Sequence, residues 1–228
     1  MREDLGKMNK YDKNLEMWNQ YFLTEDILAP IKKETENETF DRGLKWLVSN
    51  AKSVLDFGCG SGTALFLCNN YGTKTHIGID LSPQAIKNAV EKSRNMEDGN
   101  FQFICGGVEK LKDVQDGFAD AVILSNIIDN LYPEDAISVL EEIKRILKKG
   151  GKLLVKLNPY ITDEQIEEYG IKKIGNDLLD DGMILWNNTN EMWISIFQKK
   201  YSIIRYEEII YEEYAQMNRM YLLERRSQ

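Results

Sequence analysis

The sequence predicts an α/β fold, in which a doubly wound and mostly parallel sheet carries helices on both faces. Short apolar segments alternate with helix-like segments from residue 53 onwards, which is typical of such a sheet. A glycine-rich turn follows the first apolar segment, and an aspartate lies at the end of each of the first two. Two extended segments close the chain, and the connection between them is too short for a helical crossover. We therefore expect an antiparallel C-terminal edge.

Seven strands are predicted. The five candidates for the parallel part are SVLDF at 53–57, HIGID at 76–80, FQFIC at 101–105, DAVILS at 120–125 and KLLVKL at 152–157. The two candidates for the antiparallel edge are YSIIRYEEIIYEEY and MNRMYLLERR.

Helices are predicted between these strands. TALFLCNN follows the glycine-rich turn, and Ser82 with Pro83 supplies a cap and a first-turn proline for the next helix. One side of that helix is predicted to comprise Ile86, Ala89, Val90 and Ser93. After Pro133, a helical stripe comprises Ala136, Leu140, Ile143 and Leu147. We expect that helix to end in KKGG, with Gly150 as its stop.

The chain is predicted to form a single domain over 1–228, because 228 residues are short for two full α/β domains. Residues 1–45 are expected to form a helical N-terminal cap, and 160–200 an irregular insertion on the substrate side. The candidate lid residues of the cap are Tyr11, Trp18 and Tyr21. Within the cap, an apolar face at helical spacing comprises Tyr11, Leu15, Trp18 and Phe22. Two interpretations stay open: this face packs on the flank of the sheet, or it closes over a ligand as a lid.

Composition argues against several partners. The formal net charge of -8 disfavours nucleic acid and anionic lipid as partners. Cys59, Cys68 and Cys105 form neither a CxxC pair nor a zinc set, so we expect free thiols and no metal. The first residues lack the apolar core of a signal peptide, and no apolar run approaches membrane-spanning length. A cytoplasmic monomer or homodimer is expected.

The glycine-rich turn has the spacing GxGxG, formed by Gly58, Gly60 and Gly62. The dinucleotide fingerprint GxGxxG needs a glycine where Thr63 stands, and a P-loop needs a lysine that is absent here. Asp80 follows Gly62 by eighteen residues, at the end of the second strand. A carboxylate there can accept two hydrogen bonds from a ribose diol. The pattern indicates a nucleoside-like ligand that need not carry a phosphate.

The ordered motifs VLDFGCGSG, IGIDLSP, CGGVEKL, DAVILSNIIDNL and LKKGGKLLVKL resemble those of class I S-adenosylmethionine-dependent methyltransferases. The resemblance covers roughly residues 50–160 and includes the antiparallel C-terminal strands. It implies a Rossmann-like doubly wound sheet, S-adenosylmethionine (SAM) as cofactor and S-adenosylhomocysteine (SAH) as product.

The resemblance also implies roles at the methionine end of the cofactor. Asp56 would help to place the ammonium group, directly or through water. The backbone from Gly58 through Cys59 to Gly60 would flank the methionine part, and Ser125 would lie beside the sulfonium. The side chain of Cys59 itself is expected to pack rather than react.

At the adenosine end, Asp80 would hold the ribose hydroxyls and Leu81 would pack on the adenine. Val108 would offer its backbone N–H to the ring. Many relatives carry an acid where Gly107 stands here. Glu109 could substitute for it, although a solvated surface glutamate is the expectation.

A catalytic base is optional for methyl transfer, since the main requirement is a near-attack geometry. By resemblance, Asp129 is the best-placed candidate base. Asn158-Pro159-Tyr160 resembles the NPPY motif of base and glutamine methyltransferases, but it follows the fifth strand instead of the fourth and lacks the second proline. We interpret it as a turn. His76, the only histidine, is expected to pack.

Three functions stay open. The acceptor is predicted to be a small molecule. The alternatives are an acceptor in a protein or tRNA, and a non-catalytic subunit that keeps the fold and binds the cofactor.

Overall fold

The computed structural model describes residues 10–28, 32–214 and 216–226. The helices are α1 Asp12–Leu23, α2 Glu38–Val48, α3 Thr63–Asn70, α4 Pro83–Ser93, α5 Pro133–Ile146, α6 Asp163–Glu168 and α7 Asn190–Phe197. The strands of the main sheet are β1 Ser53–Phe57, β2 Thr75–Asp80, β3 Asn100–Cys105, β4 Ala119–Ser125, β5 Leu147–Leu157, β9 Tyr201–Tyr211 and β10 Gln216–Arg225. A smaller sheet comprises β6 Lys172–Lys173, β7 Leu178–Asp180 and β8 Ile184–Trp186.

The main sheet has seven strands in the described part of the chain, in the order β3-β2-β1-β4-β5-β10-β9. The first five strands pair in parallel, and β10 pairs antiparallel with both β5 and β9. The strand order reverses beside β1, where β2 lies on one side and β4 on the other. Ligands of open α/β sheets bind at such a switch point, outside the carboxyl ends of the strands. The predicted fold class is confirmed.

Both faces of the sheet are covered because its central strands are apolar on both sides. Leu55 and Phe57 of β1 pack in a core with α5 and α7, whereas Val54 packs in a second core with α2 and α3. All five residues of β1 are buried. A strand buried on both faces holds its carboxyl end in a fixed position, and this end carries the glycine-rich turn.

Two helix details differ from the sequence prediction. The buried side chains of α4 are Ala85, Asn88 and Ala89, whereas the predicted Val90 is 39% exposed. The face is shifted because Asn88, a polar residue, hydrogen-bonds inward to the Phe22 carbonyl at 2.8 Å. Helix α5 ends at Ile146, and the KKGG segment belongs to β5, with Gly150 at a φ of +69° inside the strand.

The N-terminal segment has two helices with different neighbours. Helix α1 packs against α4, whereas α2 packs on β4, β5 and β9 within the second core. Asn37 caps α2 through bonds to the amides of Thr39 and Phe40. Because α2 is part of the second core, α1 is the part of the predicted 1–45 cap that lies over the carboxyl ends of the strands within the described residues. Residues 1–9 and 29–31 of that predicted cap lie outside the described part of the chain.

The segment 160–200 was expected to be irregular, but it forms α6, the three-stranded antiparallel sheet and α7. Thr162 and Gln165 form a capping box at the start of α6. Trp193 and Phe197 of α7 are fully buried in the first core. The small sheet reaches the rim through a bond from the Asn130 amide to the Ile184 carbonyl, at 3.0 Å.

Candidate active site

A cavity of about 470 Å³ lies at the carboxyl ends of β1, β2 and β4 and is covered by α1. It occupies the switch point of the sheet, where a ligand is expected from topology alone. Most of the candidate site residues from the sequence line it: Gly58, Gly60, Asp80, Leu81, Gly107, Val108, Ser125, Tyr11 and Trp18. Four candidates do not line it: Asp56, Cys59, Tyr21 and Asp129.

The glycine-rich turn is held by the neighbouring strand. The amides of Gly58 and Cys59 both donate to the carbonyl of Ile79, at 2.8 and 3.1 Å. Gly60 has a φ of +52°, and a Cβ on it would lie 3.0 Å from the ring of Phe22. The missing side chain therefore lets the turn approach both the cavity and the α1 helix above it. The Cys59 thiol is buried, its pKa is raised by that burial, and it packs beneath the turn.

Asp80 is fixed by backbone donors on both carboxylate oxygens. Its Oδ2 accepts the Gly60 amide and its Oδ1 accepts the Ser82 amide, each at 2.8 Å. Burial raises the pKa of Asp80, while these two bonds act in the opposite direction. Each oxygen keeps a lone pair for a further donor. Two such oxygens, aimed from a strand end into the cavity, suit a vicinal diol.

Asp56 lies beneath the glycine-rich turn and is 2% exposed. Burial raises its pKa to about 8; the nearby Asp80 adds to this effect, and Lys156 opposes it. Its Oδ1 atom has no hydrogen-bond partner among the described residues. A buried carboxyl oxygen without a donor is costly, and because Asp56 does not line the cavity, it suits a ligand's cation that reaches it through a water beneath the turn. The ammonium group of SAM is such a cation, and the residues present therefore fit this cofactor.

The turn after β3 forms the part of the cavity wall to which the resemblance assigns the adenine. Gly107 and Val108 line it, as does Leu81 after β2. Glu109 also lines the cavity, and its Oε1 atom accepts the Gly107 amide at 3.0 Å. Glu109 is exposed, as expected for a surface glutamate, and its side chain folds back across the turn.

Helix α1 covers the cavity with one face. That face comprises Tyr11, Asn14, Trp18 and Phe22, so Asn14 takes the place that the sequence pattern gave to Leu15. Trp18 is still 39% exposed. Tyr21 is 60% exposed and packs edge-on against Trp18 and Phe22 from outside. Tyr21 therefore supports the aromatic cluster without reaching the cavity.

The end of α1 is joined to the glycine-rich turn through Glu25. One carboxylate oxygen accepts the Ser61 hydroxyl at 2.7 Å and the Lys92 ammonium at 2.6 Å. The other accepts the Asn88 amide at 3.0 Å. Desolvation raises the pKa of Glu25 but is outweighed by the bonds from Lys92, Ser61 and Asn88, so the net pKa is lowered. The helix over the cavity is thus connected to the turn below it.

The beginning of α1 is joined to the segment before α5. The Tyr11 hydroxyl donates to Asp135 at 2.6 Å and accepts the Tyr132 amide at 3.0 Å. Burial and the bond to Asp135 raise the pKa of Tyr11, which therefore stays protonated. The Lys10 ammonium lies 2.9 Å from Asp135 and 2.9 Å from Glu134. Both ends of the helix are held in place.

Asp129 is fully buried below the wall of the cavity. Its Oδ2 atom accepts the backbone amide of Asn158 at 2.6 Å and the side-chain amide at 3.0 Å. Burial raises its pKa to about 6, against these bonds and the charge of Arg219. A carboxylate without access to the cavity cannot reach an acceptor atom. The position of Asp129 does not support the role of general base, because Asn158 holds it away from the cavity.

The sequence reasoning missed the segment that follows Ser125. Asn126, Ile127, Asn130 and Leu131 all line the cavity. The available signal was their position directly after β4, on the same rim as Gly58 and Asp80. Lys10, Asn14 and Asp135 were also missed, because polar residues on a helix face do not stand out in an apolar pattern.

His76 is buried, as expected for a packing residue. Its ring bonds Thr73 at 2.7 Å and the Asn100 carbonyl at 3.2 Å, and it stacks on Phe101. Burial lowers its pKa to about 4. Within the described residues, no helix is long and apolar enough to cross a membrane.

The fold and the site define a class of protein. The strand order with an antiparallel β10-β9 edge, the GxGxG turn after β1 and an acid after β2 are the features of the class I methyltransferase fold. Residues 55–155 match the model of a family described as "Methyltransferase domain". This match covers less than half of the chain and agrees with the class I SAM-dependent methyltransferases that the sequence motifs resemble; SAM is the cofactor of that class.

Two curated relatives illustrate the sequence similarity. A ribosomal protein L11 methyltransferase of Clostridium botulinum is 31% identical over 110 residues, which is 48% of this chain and 33% of that protein. A tRNA N(3)-methylcytidine methyltransferase of Schizosaccharomyces pombe is 24% identical over 199 residues, 82% of this chain and 64% of that protein. The chain thus spans a third of the first and less than two thirds of the second.

A solved structure shows the same fold over nearly the whole chain. The N-methyltransferase NodS from Bradyrhizobium japonicum, in complex with SAH, superimposes with a TM-score of 0.66 at 14% identity. The match covers 94% of this chain and 99% of that one. The similarity therefore extends well beyond residues 50–160, the part that carries the sequence motifs.

Proposed function

We propose that this protein transfers the methyl group of SAM to a small-molecule acceptor. The observation that carries the proposal is the cavity at the switch point, with Asp80 and the glycine-rich turn below it and α1 above it. Asp80 would bind the ribose, Asp56 would balance the ammonium group, and Ser125 would lie at the methyl end. Bound SAM supplies an activated methyl group on a sulfonium.

The chain contributes positioning and the exclusion of water. Helix α1 is held at both ends, through Tyr11 and through Glu25, so it can close the cavity over two aligned reactants. Near-attack alignment is the main contribution that such a displacement needs. The aromatic ring of Trp18 on the lid face suits a positive charge below it. With Tyr11 protonated and Asp129 buried, we propose a reaction without a dedicated base in these positions.

The small acceptor is favoured by the size of the cavity and by the helix that lies over it. A volume of about 470 Å³ lies at the lower end of the range for small-molecule sites, and the cofactor occupies part of it. A protein or tRNA acceptor would have to displace α1, whose two ends are bonded to α4, the glycine-rich turn and α5. The names of the relatives keep a macromolecular acceptor as the second candidate.

Calorimetric titration with SAM, SAH and NAD tests the cofactor. We expect SAM and SAH to bind and NAD not to bind. Tight binding of NAD with no response to SAM or SAH would refute the proposal. The acceptor class is tested by incubation with methyl-labelled SAM and a size-fractionated cell extract. Label in the low-molecular-weight fraction supports a small acceptor, and label in protein or RNA supports the second candidate.

A cytoplasmic location is part of the proposal, supported by three free cysteines. A monomer or homodimer stays a prediction, which sedimentation velocity can check. A non-catalytic role is disfavoured because Asp56 and Asp80 are both present and Asp80 lines the cavity.

A further inference from the structure

The wall after β4 carries a chain of side-chain amides whose orientation is fixed by one carboxylate. Asp129 Oδ2 accepts both the backbone and the side-chain amide of Asn158. A carboxylate oxygen that receives a backbone N–H acts as an acceptor, so the side chain of Asn158 must present its nitrogen to it. The orientation of the Asn158 amide therefore follows from chemistry and does not depend on an arbitrary assignment of O and N.

This orientation is passed on to two residues of the cavity wall. Asn158 Oδ1 can only accept, so Asn126 must donate to it, and the Nδ2–Oδ1 distance is 2.8 Å. The second N–H of the Asn158 amide can only donate, so Asn130 must present its oxygen, at 2.9 Å. The nitrogen of the Asn130 side chain is consistent with this orientation, because it donates to the carbonyl of Ile184 at 3.0 Å.

These bonds leave one N–H group unused on the side-chain amide of Asn126 and one on that of Asn130. Asn126 Oδ1 accepts the Asn218 amide at 3.3 Å, and Asn130 Oδ1 accepts Asn158. Each nitrogen has used one of its two N–H groups. Among the residues that the structure describes, the second N–H of each has no partner. Both side chains are half-buried on the cavity wall, where a ligand can accept these N–H groups in place of water.

Both residues line the cavity beside Ser125. The nearby carboxylate, Asp135, is already bonded to the Tyr11 hydroxyl and paired with Lys10. Asn14 of α1 can donate and accept, so it does not discriminate. This part of the wall therefore offers hydrogen-bond donors and has little capacity left for a cation.

We propose that the methyl acceptor carries a carbonyl or carboxylate oxygen that binds the free N–H groups of Asn126 and Asn130. This inference rests on the proposed function, because Ser125 marks the methyl end only if SAM binds as proposed. An amine that lacks such an oxygen would leave both N–H groups unsatisfied. In this scheme Asp129 and Asn158 are positioning residues, which act through the two amides.

The test uses ligand-observed saturation-transfer NMR on the full chain with three probes of similar size: benzoate, acetophenone and benzylamine. Each probe is measured with and without SAH. We expect benzoate and acetophenone to bind at least tenfold more tightly than benzylamine. Equal binding of the three, preferential binding of benzylamine, or no binding of any probe would overturn the inference.

Variants separate this inference from the proposed function. Asn130→Ala and Asn126→Ala each remove one donor, and we expect at least fivefold weaker binding of benzoate with SAH affinity retained. Asn130→Asp replaces the donor by an anion and should weaken benzoate more than benzylamine. Asn95→Asp, an exposed site with the same change of charge, is the matched control and should leave all probes unchanged.

The SAH titration of the wild-type protein reports on the proposed function independently. If SAH fails to bind, the proposed function is wrong, and the probe preference without SAH still tests whether Asn126 and Asn130 bind an oxygen. If SAH binds but the alanine variants keep full affinity for benzoate, the inference about Asn126 and Asn130 is wrong and the proposed function stands.

Discussion

Lowering the pH from about 8 to about 6 is expected to weaken SAH binding by up to about a hundredfold, because Asp56 must lose a proton when the ammonium group binds. In the free protein burial raises the pKa of Asp56 to about 8, so the carboxyl is largely neutral below that pH. An ammonium group beside it would lower this pKa by direct attraction. Binding is then coupled to the release of a proton.

The size of the expected change in SAH affinity follows from the coupling of binding to the release of a proton. Each unit of pH below the pKa of the free protein weakens binding by up to about tenfold, or about 1.4 kcal/mol. Two units correspond to about 2.7 kcal/mol. At pH 7, one unit below that pKa, about nine tenths of the protein would release a proton on binding SAH.

Isothermal titration calorimetry at several pH values measures how the dissociation constant of SAH depends on pH. Repeating it in buffers of different ionisation enthalpy measures the number of protons released on binding. Asp56→Asn should bind SAH with little dependence on pH over the same range. This variant retains Lys156, whose pKa burial lowers to about 8, so any slope that remains can be assigned to that residue. The ligand control is 5′-methylthioadenosine, which lacks the amino-acid part and should bind independently of pH. A dissociation constant for SAH that is the same at both ends of the range would refute the reasoning, as would an unchanged slope in Asp56→Asn.

Three further outcomes are expected. Asp80→Ala should fold and bind SAH about ten- to a hundredfold more weakly, as calorimetry measures, through loss of roughly 1.5–3 kcal/mol of hydrogen bonding; unchanged affinity would contradict the ribose assignment. SAH should protect tryptophan fluorescence from acrylamide quenching in the wild type but not in Trp18→Phe, and protection that survives the substitution would argue against the lid. Burial raises the pKa of Asp129 from 3.8 to about 6, so its contribution to stability falls as the pH rises through this interval. Urea denaturation should therefore show that the free energy of unfolding of Asp129→Asn rises relative to that of the wild type by roughly 3 kcal/mol between pH 4 and 7. A difference that stays constant over this range would contradict the raised pKa.

The parallel sheet and the residues that line the cavity beside the glycine-rich turn could be predicted from the sequence. Strands buried on both faces are continuous apolar runs, and their ends are marked by Asp56 and Asp80, residues that a buried strand otherwise excludes. The glycine spacing then identifies the turn. Signals of this kind are local, because a strand end, its turn and the next helix are adjacent in the chain.

The acceptor side could not be predicted because it depends on contacts between distant segments. Asp129 looked like a base at the end of a strand, but Asn158 arrives from the end of β5 and buries it. The NPY triplet looked like a simple turn, and yet Asn158 is the residue that orients the wall. The strands β6, β7 and β8 have two or three residues each, too few for an alternating pattern to be recognised.

Helix α1 and the glycine-rich turn are connected by a partly buried carboxylate. Glu25, just beyond α1, binds Ser61 of the glycine-rich turn and Lys92 of α4, and the side chain of Lys92 is only 11% exposed. Phe22 meets Gly60 directly, so any side chain larger than hydrogen at 60 would push the lid and the turn apart. A displacement of α1 would thus strain the same turn that fixes Asp80 through the Gly60 amide. The position of α1 over the cavity and the orientation of the Asp80 carboxylate are therefore coupled.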